Sequence, residues 1–397
     1  MRFVKMSLAT AVLLGASAFA IDNVKVSGDA KLYYSTDSID RTTVGSKDGL
    51  FGKDSSVGDT SLRVGATGDL TSNVSFGATG YAVSTLGLEN NLVSNTWAGS
   101  RNGAKDNAWL GELWIAATAG KTTVKAGRME LDTPLVFSEK WSTVPNTFSG
   151  AVVMNTDIPD TTLVGAWVGQ GNGLNTFGTS SNGLENNNTL GWDYMGNDFG
   201  TFAKRGAYTA GVINNSLKPL VAQAWYYNVV DVADAYWLQA DWDCQLVEGV
   251  KVGVQYANMD PKDSYTETKD SSAYAVKLAY AGIKDLTLSA AYSSADKDNG
   301  GLKIANVATD NAGTYFSMSH AKFGAQTKWY TEAWWNYGYV GAAGAATLTL
   351  TAAYDAGVAQ FFGQFNDVND KTANRTHTSE LPEITLTAAK SYGHLTA

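Results

Sequence analysis

The chain has 397 residues, 29 Lys and Arg against 38 Asp and Glu, a net charge of −9 and a single cysteine. An acidic balance argues against a nucleic-acid partner, and one cysteine excludes an intrachain disulfide or a cysteine metal cluster. With 41 glycines and only 6 prolines, the composition suits close-packed strands joined by many tight turns.

Arg2 and Lys5 precede an apolar run over residues 8–19 that closes on Ala18-Phe19-Ala20. A short basic region, a short apolar core and an A-x-A site predict a secretory signal over residues 1–20. The run is too short to cross a membrane as a helix, and no run of 18 apolar residues follows. Cleavage after Ala20 leaves residues 21–397 as one domain; without Arg2 and Lys5 there are 27 basic residues against 38 acidic, a net charge near −11.

From Val24 the chain alternates, with Val24, Val26, Gly28, Ala30 and Leu32 against Lys25, Ser27, Asp29 and Lys31. Period two predicts a strand with one apolar and one polar face. The pattern returns as Leu62, Val64, Ala66, Gly68 and Leu70 against Ser61, Arg63, Thr67 and Asp69, then turns at residues 71–73 into Val74, Phe76, Ala78 and Gly80. Short connections are expected near Asn73, Gly120, Pro159, Ser216, Glu248, Lys284, Gly324 and Gly357. Long ones are expected at residues 37–58, 84–108, 129–148, 170–205, 229–235, 260–272, 294–312, 337–346 and 367–382. Eight short and nine long connections predict about eighteen strands in up-and-down order, the construction of a transmembrane antiparallel β-barrel in a bacterial outer membrane. Alternation is poorest over residues 315–337, where two strands could be gained or lost.

Tyr256, Tyr280, Tyr292 and Tyr354 share the parity of the apolar residues and are expected at strand ends, as members of aromatic girdles. A soluble β-sandwich would require more large buried aliphatics than these Ala-, Gly- and Val-rich faces supply. The polar face therefore has to be wet, which means a lumen lined by Lys25, Lys31, Arg63, Lys125, Asp241, Asp243, Lys251 and Lys277. Cys244 shares the parity of Leu238, Ala240 and Trp242, so it is expected to face lipid and to have no redox role.

Catalysis finds no support. His320, His377 and His394 are scattered, and neither G-x-S-x-G nor H-E-x-x-H occurs. A lipase would need a Ser–His pair at the barrel wall, for which only His320 in SMSHAKF stands beside serines. The acidic loops lack the spacing of a dedicated calcium loop.

The third long connection interrupts this rhythm. Residues 125–150 read KAGRMELDTPLVFSEKWSTVPNTFSG, between strands expected at residues 122–127 and 149–155. Arg128, Glu130, Asp132, Glu139 and Lys140 crowd a sparsely charged chain, and Pro134 and Pro145 prevent a regular ladder. Phe137 and Trp141 give the loop an apolar interior, and by alternation Arg128 would face lipid unless the strand has ended or bulged before it. The block over residues 125–173, with its G-R-x-E-L-D-T-P-L and D-I-P-D-T-T-L-V elements, resembles the major outer-membrane porins of Campylobacter and related epsilonproteobacteria. That resemblance implies an eighteen-stranded homotrimeric diffusion channel whose third external loop folds inward and narrows the lumen. It also implies a calcium site near the constriction, whose ligands do not map onto this sequence.

The resulting expectation is a non-enzymatic outer-membrane channel passing ions and small hydrophilic solutes, constricted at Arg128, Glu130, Asp132, Glu139 and Lys140, with a modest cation preference. The rivals are a substrate-specific channel of the same fold and a surface adhesin or structural layer protein.

Overall fold

The structure, a computed structural model, describes residues 21–36, 49–88, 91–93, 106–140, 143–172, 199–201, 205–231, 233–262, 270–296, 304–306, 326–370, 380–392 and 395–396. The expected signal segment, Trp141, the turn near Gly324 and all three histidines lie outside them. Contacts divide the chain into two units.

The first unit holds residues up to Asp132, Phe137–Met154 and Ala166–Gly206. In it β1 (Asp22–Thr36), β2 (Ser56–Thr71), β3 (Val74–Ser84), β4 (Asn107–Ala119) and β5 (Thr122–Met129) form an antiparallel meander, each strand paired with the next in sequence. The next strands, β6 (Phe148–Asn155) and β7 (Thr161–Gly171), have residues in both units; a short β8 (Gly200–Thr201) pairs with the end of β7.

The second unit holds Thr133–Val136, Asn155–Gly165 and Ala207–Ala397. A second meander runs through β9 (Ala207–Asn214), β10 (Leu220–Val229), β11 (Ala233–Asp243), β12 (Val250–Pro261) and β13 (Ser271–Ile283). It continues through β14 (Leu286–Ala295), β15 (Ala345–Asp355), β16 (Gln360–Asp370) and β17 (Glu380–Ala389), and a two-residue ladder of β18 (Ser391–Tyr392) and β19 (Leu395–Thr396) follows. Among the described residues helix is confined to two 3₁₀ turns, Lys53–Ser55 and Asn336–Gly338.

Alternation explains both meanders. Leu62, Ile115, Leu238, Val254, Val276, Leu278 and Leu350 are exposed on one face, whereas Ser61, Gln255, Ser293, Thr349 and Asn366 are buried on the other. A soluble sheet would bury the aliphatics and wet the polar groups. The inversion fits strands that show their apolar face to lipid and whose other face is lined by further chain. Two of the tightest turns rest on Asp160 (φ 53°) and Asp285 (φ 60°), since Asp tolerates the left-handed region through local side-chain bonding.

Three expectations change. Residues 229–235 do not form a long loop: β10 and β11 are separated only by residues 230–232. Tyr256 and Tyr292 do not end their strands, which continue to Pro261 and Ala295, although Tyr280 and Tyr354 do lie near the short-turn ends. The register sets Tyr256 opposite Tyr274, and Tyr274 and Tyr280 are six residues, about 20 Å, apart along β13, a spacing suited to two girdles around an apolar band. Finally, residues 326–344 contain no strand, so the strand expected after the turn near Gly324 does not form; the one expected before that turn lies outside the described residues. Among the described residues there are sixteen long strands.

Candidate functional site

On β1 and β2 the odd-numbered residues share the polar face, and the register sets Asp29 directly across from Arg63. Arg63 donates from Nε to Asp29 Oδ2 at 2.7 Å and from Nη1 to Glu130 Oε1 at 3.1 Å. Lys140 Nζ reaches the other Glu130 oxygen at 3.1 Å. Lys31 lies 3.8 Å from Asp29 and donates to the Thr143 carbonyl at 3.0 Å. The third loop thus enters and leaves through one cluster of alternating charge. Partly exposed pairs of this kind are worth about 0.2–1 kcal/mol each, so they orient the loop more than they anchor it.

Anchoring comes from burial and from hydrogen bonds that are not ion pairs. Phe137, Val144 and Phe148 are buried, and Tyr81, Val83 and Trp109 form a core with Val144. Thr143 donates to Asp59 at 2.7 Å, Thr147 to the Gly111 carbonyl at 2.9 Å, and Ser61 to the Thr143 carbonyl at 3.3 Å. An isolated bridge joins Asp132 to Phe137, and Ser138 N–H donates to the Leu131 carbonyl. In the second unit, Thr133–Val136 is a tight turn closed by Thr133 on the Val136 carbonyl, and the Leu135 amide donates to Tyr227 Oη at 3.3 Å. Tyr227 is buried on the polar face of β10, so this turn lies on that face. The loop folds inward.

The five loop residues singled out from sequence do not share one environment. Glu130 and Lys140 meet, and Asp132 is exposed. Glu139 is 3% exposed, with its amide donating to Asn146 Oδ1 at 2.6 Å, so its side chain is packed away instead of lining a passage. Arg128 turns outward. β5 continues to Met129, and the register sets Arg128 across from Leu113, which is exposed on the apolar face. Its guanidinium stacks 4.1 Å from the Phe199 ring and donates to the Leu110 carbonyl at 3.1 Å. Near the strand's outer end an outward Arg costs about 0–1 kcal/mol, against roughly 2–4 at the midplane.

Each of the eight residues expected to line a lumen lies on the polar face. Lys25 and Lys31 sit on β1 and Arg63 on β2, while Lys125 on β5 packs its ammonium 4.1 Å from the Trp114 ring. In the second unit Asp243 pairs with Lys251 at 3.0 Å, and Asp241 lies 3.8 Å from Lys277.

The sequence reading missed a second inward element, residues 326–344 between β14 and β15. Tyr330 donates to Asp241 at 2.7 Å (β11), and its amide donates to Gln255 at 3.0 Å (β12). Its ring lies 4.0 Å from Lys277 (β13), and Thr331 shares a 2.6 Å bond with Ser293 (β14). Thr349 (β15) and Asn366 (β16) both donate to the Thr331 carbonyl at 3.0 Å, and Glu383 (β17) accepts from three amides. Burial, then the hydrogen bond to Asp241, pushes the Tyr330 phenol up, so it remains a donor throughout the neutral range. The available signal was the loss of period-two alternation over residues 315–337, which marks a stretch that is not strand.

Among the described residues no group of three or more His, Cys, Asp or Glu could hold a metal ion. Asp29 and Glu130 are already committed to Arg63 and Lys140, so these residues do not fit the calcium site that the resemblance implied.

Residues 89–377 match the family described as outer membrane porin, OprD family. The chain belongs to the OprD family. The fold is similar to that of OccK9 (OpdG) of Pseudomonas aeruginosa at TM-score 0.69 and 12% identity, over 93% of this chain and 88% of that one. It is also similar to P. aeruginosa OccK8 (OprE) at 0.64 and 17% over 93% and 89%, and to Acinetobacter baumannii OccAB3 at 0.62 and 13% over 92% and 88%. No curated protein sequence matches the chain. This OprD-family porin is therefore an integral outer-membrane protein, an all-β up-and-down barrel of antiparallel strands, and its polar face is the lumen face.

Proposed function

We propose that this porin is a passive channel, and not an enzyme, for ions and small hydrophilic solutes. The charged cluster at the root of its third loop sets its ion preference. The observation that carries this reading is the junction of Arg63 with Asp29 and Glu130, extended by Lys140, on the lumen face where an inward loop begins. Opposed charges in a confined passage impose a transverse field, stronger than at an open surface because the local dielectric is lower. Lys25, Lys31, Lys125, Asp241, Asp243, Lys251 and Lys277 continue this charged lining along the wall. With 27 basic against 38 acidic residues once Arg2 and Lys5 are removed, a mature net charge near −11, the chain as a whole favours cations modestly.

The similarity of residues 125–173 to the major porins of Campylobacter and its relatives supports a homotrimer, and the A-x-A site at Ala18–Ala20 supports a mature chain starting at Ile21. Intact mass of protein recovered from outer membranes checks the latter; a species retaining Met1 would refute it.

Replacing Glu130 and Asp132 together (Glu130→Gln/Asp132→Asn) removes two negative charges, takes from Lys140 its Glu130 partner and leaves Arg63 with Asp29 alone. The cation-to-anion permeability ratio should fall in a salt-gradient reversal-potential measurement, with oligomer mobility unchanged. An unchanged ratio would place the selectivity element elsewhere.

A substrate-specific channel is the second reading, favoured by the inward segment that brings Tyr330, Asp241 and Lys277 together on the lumen face. Saturable block of conductance by one solute at concentrations where its analogues do nothing would establish it. A surface adhesin or layer protein would show no conductance.

A further inference from the structure

Residues 326–344 are held at their two ends in one way and at their middle in another. Trp329 near the start and Val340 near the end are buried, which fixes both by side-chain packing. Between them Trp334 is 44% and Trp335 is 56% exposed, so these two side chains, unlike Ala333 and Asn336 on either side, are not secured by burial. The backbone here is secured instead. The amides of three consecutive residues converge on one carboxylate: Trp334 N–H donates to Glu383 Oε1 at 3.1 Å, and Trp335 and Asn336 N–H donate to Oε2 at 3.0 and 2.7 Å. Successive amides pointing to one spot form an anion-binding concavity, and bonds to an ionised acceptor are roughly twice as strong as neutral ones.

Glu383 is itself placed for this. It lies on the polar face of β17 and is 8% exposed, and Thr385 Oγ1, two residues along the same face, donates to its Oε1 at 2.7 Å. Among the described residues Glu383 makes no ion pair with any Lys or Arg. Its charge is met by loop amides. Asn336 adds two neutral bonds beside it, to Asn366 Oδ1 at 2.9 Å and to the Leu381 carbonyl at 2.7 Å.

We propose that Glu383 is a latch, a positioning residue that holds residues 334–336 of this second inward segment against β17 and so keeps the open channel at one width. With the carboxylate gone, three amides lose their common acceptor and the two exposed tryptophans carry the freed stretch into the lumen. The channel then fluctuates among conductance levels. This inference rests on the chain being a porin, not on the third loop setting its selectivity.

The test is single-channel recording of Glu383→Ala and Glu383→Gln in planar bilayers, with heat-modifiable gel mobility as the check on barrel assembly. Glu383→Ala should assemble, show open-channel current noise several-fold above wild type and visit new conductance levels. Glu383→Gln keeps one acceptor oxygen without the charge and should lie between the two. The double variant Asn336→Cys/Asn366→Cys, placed in Glu383→Ala with Cys244→Ala, ties the same stretch to β16. Oxidised it should return to quiet current, and reduction should restore the noise. Wild-type current in an assembled Glu383→Ala channel would overturn the latch. So would failure of both the Ala and the Gln variants to assemble, because Glu383 would then serve folding of the wall. Failure of the third-loop reading would show separately, as an unchanged reversal potential in Glu130→Gln/Asp132→Asn.

Discussion

Arg63 and Val64 are adjacent on β2 and have opposite surroundings. Arg63 holds Asp29 and Glu130 on the lumen face, while Val64 pairs across the strand with Gly28 and Gly80 on the lipid face. Val64→Lys puts a charge toward hydrocarbon at a cost of roughly 2–4 kcal/mol near the midplane. Arg63→Gln removes partly exposed ion pairs worth about 0.2–1 kcal/mol each. In urea unfolding from lipid vesicles Val64→Lys should therefore be much the less stable of the two. Arg63→Gln should unfold nearly as wild type while shifting the reversal potential toward cations, because a positive charge is lost; the reverse ranking would mean that the faces are exchanged. Parity alone made this pair legible in the sequence. It could not reveal that Glu139 is buried, because the contact that draws its backbone in, Asn146 Oδ1 on the Glu139 amide, follows from a fold-back with no period. Arg128 was expected at the constriction, on the premise that the strand ends or bulges before it; β5 instead runs on to Met129, and strict alternation turns the side chain outward, stacked on Phe199.

The strand pair β4–β5 shows how one glycine can carry an element. Between Leu110 and Glu112 the register of β4 against β3 shifts, with Gly111 as the extra residue, so that Trp109 and Trp114 both face inward despite opposite parity. A sequence pass that assumes unbroken alternation cannot place such a step, although Gly inside a strand pattern hints at one. On β5, Gly127 has φ of +126°, and a Cβ there would lie 2.2 Å from the Leu113 carbonyl oxygen. Gly127→Ala must therefore shift β5 against β4, at a strain cost of about 1–3 kcal/mol. Lys125 and Glu130 lie on either side of that position, so the variant should lose stability to urea and also alter the reversal potential. A stable channel with unchanged selectivity would show that the close approach is dispensable. Residues 326–344 were illegible for a related reason. Their backbone groups are satisfied by Gln255, Thr349, Asn366 and Glu383 side chains in place of a ladder, so no period marks them.

At the scale of the whole chain, alternation and turn spacing are enough to specify an up-and-down all-β membrane protein. Each strand is an independent reading of the same lipid–water boundary, and a mistake in one does not spread to the next. The two inward segments have no such redundancy, because each is fixed by a few contacts far apart in sequence. Net charge, by contrast, is distributed and acts at long range. The mature chain's net charge near −11 (27 basic against 38 acidic residues) reaches a permeating ion through fields screened over about 10 Å at 0.1 M salt and about 3 Å at 1 M. On the proposed reading the third-loop cluster borders the permeation path, so screening weakens it less. Cation preference should therefore fall as the mean salt concentration rises from 0.1 to 1 M at a fixed gradient ratio. The difference between wild type and Glu130→Gln/Asp132→Asn should persist across that range. If both the preference and the difference vanished together in 1 M salt, selectivity would arise from diffuse surface charge, and the third loop would serve only to narrow the passage.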